Sequence, residues 1–67
     1  MSPRRIGKML KDRREQIGLT REQLARKAKV TRAYVSMMEA GKRKNPSLAV
    51  LQRLAKALGV SLTELLA

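Results

Sequence analysis

The hydrophobic positions of this chain recur at helical spacing and stop at residues that end helices. Ile6, Met9 and Leu10 share one stripe, which the aliphatic stem of Arg13 and then Ile17 continue. With Ser2 as N-cap and Pro3 at the first helical position, the pattern predicts a helix from Pro3 to Gln16, ended where Gly18 takes a left-handed C-cap. Thr20, with Gln23 three residues on, forms a capping box for a second helix, Arg21 to Ala28, that turns Leu24, Ala25 and Ala28 inward. Thr31 caps a third helix, Arg32 to Ala40, with Val35 and Met38 inward and Gly41 at its end. Asn45 and Pro46 open a fourth helix as N-cap and first residue. Its buried stripe is Leu48, Leu51, Leu54, Ala55 and Leu58, and Gly59 stops it. Ser61 and Glu64 predict a further capping box on a last helical stretch, Leu62 to Leu66. No alternating run suggests a strand. Five short helices with connections of a few residues predict a compact all-α domain over residues 1–67.

Charge changes this picture more than size does. Sixteen Lys and Arg face five Asp and Glu, a net charge of +11 on 67 residues. Such a surplus repels itself, and the natural partner is a polyanion, nucleic acid first and an anionic membrane surface second. Basic residues run from Arg4 to Lys56, whereas residues 57–67 carry only Glu64. One end is basic, the other nearly neutral and leucine-rich. Short, separately capped helices disfavour the membrane reading, because a surface helix would show one long apolar face.

Other chemistry is excluded by what the chain lacks. Without His or Cys there is no disulfide, no thiolate and no usual zinc site. The acids Asp12, Glu15, Glu22, Glu39 and Glu64 fall on no common face, so neither an enzyme nor a metal, cofactor or small-molecule site is expected. No signal-peptide core follows Met1-Ser-Pro-Arg-Arg and no apolar stretch reaches membrane-spanning length. A cytoplasmic protein is expected, either a complete small regulator or a domain of a longer chain.

The unit from Thr20 to Gly41 meets the demands of a helix-turn-helix, in which one helix spans the phosphate backbone and the next lies in the major groove. Ala25 is small enough for the helix crossing, and Leu24, Ala28, Val30, Val35 and Met38 can hold the pair to the domain. Arg32, Ala33, Ser36 and Met37 remain as an outer face. The run from Leu19 and Thr20 through Ala28 resembles the first half of this motif in the lambda-repressor-like, or XRE, family. Tyr34-Val35-Ser36-Met37-Met38-Glu39-Ala40-Gly41-Lys42, then Asn45-Pro46-Ser47-Leu48, resembles the second half and the entry to helix four, and Leu58-Gly59-Val60-Ser61 its end. The resemblance implies a transcriptional regulator, a repressor for choice, that binds a pseudo-palindromic operator in double-stranded DNA as a homodimer. An antitoxin-type protein-interaction module that also binds DNA is the alternative. The family commonly has Gly at the first turn position, where this chain has Lys29.

Residue roles follow, each with its competitor. Arg32 is expected to clamp a guanine edge, or else a phosphate. Ala33 and Met37 are expected on thymine methyls, with core packing as the other reading of Met37, and Ser36 on a base edge or a phosphate. Phosphate contacts are expected from Arg21 at a helix N-terminus, from the Tyr34 hydroxyl, with its ring packed on the domain, and from the loop Lys42, Arg43 and Lys44, which could instead enter the narrow minor groove. In the family the acid matching Glu39 pairs with an arginine on the first helix, which falls on Arg14 here; that pair is read as structural. Val60, Leu62, Leu65 and Leu66 are expected at a two-fold dimer interface, the competing reading being that the leucines complete the core.

Overall fold

Among the described residues a hydroxyl side chain starts every helix. In the computed structural model, which describes residues 2–43 and 45–67, α1 spans Pro3–Gln16, α2 Arg21–Ala28, α3 Arg32–Glu39, α4 Leu48–Leu58 and α5 Leu62–Leu66. Ser2, Thr20, Thr31, Ser47 and Ser61 each accept the backbone N–H three residues on, at 3.0–3.1 Å. Each cap satisfies a donor the helix leaves orphaned and contributes about 1 kcal/mol. Only the Thr20 box closes in both directions, through Thr20 N–H to Gln23 Oε1 at 2.8 Å. At Ser61 the hydroxyl half alone is made.

Two boundaries differ from the sequence reading. α4 begins at Leu48 with Ser47 as its cap, not at Pro46 with Asn45. The proline ring pushes Asn45 out of helical geometry without requiring that the helix start there. α3 ends at Glu39, and Ala40 caps it.

α2 occupies the middle. It packs against α3 on one side and α4 on another, α1 packs mainly on α3, and α5 closes the domain against α1 and α4; α3 and α4 barely touch. The core is aliphatic, with Leu10, Leu24, Val35, Leu54 and Leu58 essentially inaccessible and Ile6, Ala25, Met38 and Leu51 nearly so. Each leucine removed from water contributes on the order of 1.5–3 kcal/mol. Met9, Ile17 and Leu48, expected in the buried stripes, stand 38, 39 and 57% exposed. They sit at stripe edges, and so few elements cannot cover a wide apolar face.

The hydrophobic pattern gives no sign of the part played by Gly7. It is buried where α1 crosses the end of α3, and a Cβ there would sit 2.7 Å from the Glu39 carbonyl oxygen, closer still to that of Met38. Two backbones meet at this point, so no side chain can yield.

Candidate nucleic-acid interface

The close approach at Gly7 puts the end of α3 over α1, and there Glu39 is enclosed. Its side chain is 2% exposed. The expected partner is present: Arg14 donates from Nε to Glu39 Oε2 at 2.6 Å and from Nη2 to Oε1 at 3.1 Å, a bidentate pair. Arg14 Nη1 also donates to the Leu19 carbonyl at 2.8 Å, fixing the approach to α2. The hydrogen bond to Glu39 raises the Arg14 guanidinium above its ordinary pKa; burial opposes this, while the charges of Glu39 and Glu15 reinforce it. A third contact escaped the sequence reading. Arg21 Nε donates to Glu39 Oε1 at 3.0 Å, so one buried carboxylate ties α1, α2 and α3 together.

That contact changes what Arg21 can do. It is not a free cation at a helix N-terminus; only the Nη side of its half-exposed guanidinium is open. It faces a groove of about 510 Å³ lined also by Lys11, Arg14, Thr20 and Arg32 and by the acids Glu15 and Glu22. Arg32 has no carboxylate partner among the described residues and is exposed at the start of α3. Ala33 is exposed as well, Met37 is 43% exposed rather than packed in the core, and Ser36 is half-buried between them. The four residues expected to face a groove therefore do share the open side of α3.

The Tyr34 ring packs against the core as expected, but the role of its hydroxyl requires a correction. Its hydroxyl oxygen is covered and has no hydrogen-bond partner among the described residues, and the Arg43 guanidinium carbon lies 4.4 Å from the ring centroid. The residue is a platform for Arg43 by cation–π attraction, and its hydroxyl offers nothing to a phosphate in this arrangement. Lys42 and Arg43 are exposed, and Lys44 lies outside the described residues. At the other end Leu65 is 2% exposed and belongs to the core, which removes it from the expected dimer surface. Val60, Leu62 and Leu66 are half-buried against that core and keep part of their surface open.

A helix-turn-helix family profile matches residues 10–65, most of the chain. The chain belongs to the helix-turn-helix family. It is 41% identical over 51 residues to an HTH-type transcriptional regulator of Methanothermobacter thermautotrophicus, covering 76% of this chain and 72% of that one. It superposes on the restriction-modification controller protein C.AhdI of Aeromonas hydrophila with a TM-score of 0.89 at 36% identity, over 94% of both chains. On the biofilm regulator SinR, crystallised in complex with DNA, the TM-score is 0.87 at 35% identity, over 92% of this chain and 98% of that one. The chain spans 55% of the full SinR of Bacillus subtilis.

Within this family's motif the departure at Lys29 is tolerated geometrically. Lys29 sits at φ 58°, ψ 44°, in the left-handed region, and caps α2 through backbone bonds to Ala25 and Arg26. It is the one non-glycine residue with positive φ among the described residues. Two further arginines serve helix ends rather than the helix-turn-helix surface: Arg13 Nε donates to the Leu58 carbonyl at 3.0 Å, and Arg53 Nε to the Ala28 carbonyl at 2.9 Å. The two bonds span 45 and 25 residues respectively and leave no local signature in the sequence.

Proposed function

We propose that the chain is a sequence-specific double-stranded DNA-binding transcriptional regulator, a repressor, with α3 in the major groove, and that it has no enzymatic activity of its own. The carrying observation is the open face of α3, where Arg32, Ala33 and a 43% exposed Met37 project beside a basic groove. Exposed alanine and methionine next to an unpaired arginine suit the mixture of thymine methyls and guanine acceptors on a major-groove floor. Ser36 reaches a base edge from its half-buried position. Lys42, Arg43 and Lys44 beyond the helix, with the open side of Arg21, take phosphates. No helix of the described residues is long and apolar enough to cross a membrane. The protein works where the DNA is, in the cytoplasm.

The operator is pseudo-palindromic and the regulator a homodimer, joined through the open parts of Val60, Leu62 and Leu66. A two-fold axis there sets two α3 helices about 34 Å apart, one turn of duplex. Selection of binding sites from random DNA, followed by a salt titration on the selected duplex, tests the reading. With five or six phosphates neutralised, log K should fall with log salt at a slope of about −5. A slope shallower than about −2, or no enriched sequence, sinks it. Sedimentation at tens of micromolar without DNA should find the dimer.

A further inference from the structure

The charge of this chain is not confined to the α3 side. Lys27, Lys29, Arg53 and Lys56 surround a second cleft, of about 390 Å³, between the end of α2 and the α4 helix, with Ala57 beside them. No acid lines it, in contrast to the groove at Arg21, which Glu15 and Glu22 help to line. None of the four cations has a carboxylate partner among the described residues, whereas Lys8, Arg14, Arg21 and Arg26 each have one. Arg53 is held in place by its Nε bond to the Ala28 carbonyl, and its Nη groups make no hydrogen bond to a described residue. That bond fixes the fork without consuming it. Lys29 adds a second cost. It keeps a left-handed backbone that a lysine adopts only with strain, and it brings a further positive charge to a site already crowded with them.

Strain and uncompensated charge at one place point to an anionic partner. Because α2 separates α3 from α4, the cleft opens on another flank from the face that reads bases, yet Lys29 lies in the turn leading into α3. We propose that this cleft is a second DNA site, which holds the sugar-phosphate backbone of duplex outside the stretch read by α3. The proposal rests on the DNA-binding reading above. Four lysine and arginine side chains with no carboxylate among them suit phosphates, which carry one charge per ~1.7 Å of duplex axis. The duplex that fills the cleft is either a bent flank of the same operator or a separate molecule.

The test uses Lys27→Gln/Lys56→Gln, two exposed positions whose neutralisation should leave the helical signal unchanged. Salt titrations are run on the selected site within a duplex of about 20 bp and within one of about 40 bp. Each phosphate that the variant leaves without a cation should flatten the slope by about 0.9. On the longer duplex the variant's slope should be shallower by about 2, and on the shorter unchanged. A wild-type protein that instead brings two differently labelled 20-bp duplexes together, where the variant cannot, assigns the cleft to a separate molecule. Without bridging of the two duplexes, equal slopes for variant and wild type in both formats overturn the proposal, as does an equal flattening on both lengths. So does an oligoglutamate peptide that binds wild type but not the variant in the absence of any length or bridging effect, which would assign the cleft to an acidic protein segment. A shallow wild-type slope on the 20-bp duplex would be a failure of the base-reading assignment and is seen separately.

Discussion

The two basic clefts of this molecule differ in what opposes their charge. In the groove between α1, α2 and α3, Glu39 is buried under Arg14 and Arg21 at 2.6 and 3.0 Å. In the cleft between α2 and α4, the cations face one another with no acid among them. The first arrangement uses its arginines for geometry: three helices are held at one carboxylate, and Lys11, Arg32 and part of Arg21 remain for a ligand. The second commits little to geometry beyond the Arg53 bond and leaves its charge for association. A net charge of +11 therefore says how strongly the chain is drawn to polyanions, and the place of Glu39 says why Arg14 and Arg21 build the fold instead.

The largest effect should come from the compensated groove. Arg14→Ala leaves a carboxylate with 2% exposure to a single half-exposed partner and frees the Leu19 carbonyl. Breaking a buried pair from one side costs about 3–5 kcal/mol, a large part of the stability of so small a domain. Lys27→Ala, in the other cleft, should stay within about 0.5 kcal/mol. Urea unfolding of the two variants measures the contrast; equal midpoints would erase it. The pH dependence follows from the raised Arg14 pKa. A cation whose folded pKa lies above its unfolded value contributes in full below the unfolded value and is lost only as pH rises past the folded one. The Arg14 contribution should thus persist unchanged to alkaline pH, beyond the range of ordinary unfolding experiments.

That contrast also explains what can be read in advance. Caps and stops are local: a hydroxyl three residues before an N–H, or a glycine one position past the last periodic residue, carries its own evidence. All five helices and the open face of α3 are legible in this way. Arg14 with Glu39 is legible only through the family resemblance. Nothing local says that Arg21 turns back to the same carboxylate, that Arg53 reaches the Ala28 carbonyl, or that α3 crosses α1 at Gly7, because each depends on how distant helices meet. Leu65 departs from the sequence reading for a related reason. A helix of five residues is too short for its periodicity to say which leucine points inward. Tyr34 can be assigned only with Arg43 in place over its ring.

A smaller effect separates cations that read from cations that hold. Arg32→Ala should cost about 1–3 kcal/mol on the selected operator and relax the preference at one base pair, while Lys42→Ala should weaken selected and random duplexes alike. Both residues are exposed and neither has an acid partner among the described residues, so their stability effects should be slight and the binding data clean. Competition with random duplex reads the difference. An equal loss on both DNAs for Arg32→Ala would make it a phosphate ligand and would leave Ala33, Ser36 and Met37 to carry specificity.

The smallest effect should have the opposite sign. Lys29→Gly replaces the strained lysine by the one residue that takes φ near 58° freely. A left-handed L-residue costs roughly 1–2 kcal/mol, and glycine gives back about half of that through its looser unfolded state. The net gain should be about 0.5–1 kcal/mol, or a melting temperature about 2–8 °C higher for a domain of this size. The capping bonds to Ala25 and Arg26 come from the backbone and survive the change. If the lysine is kept for its charge, the stabilised variant should bind the 40-bp duplex with a slope about 0.9 shallower, and the 20-bp duplex as before. Higher melting with unchanged binding to both would show that Lys29 is merely tolerated strain, and would reduce the second cleft to Lys27, Arg53 and Lys56.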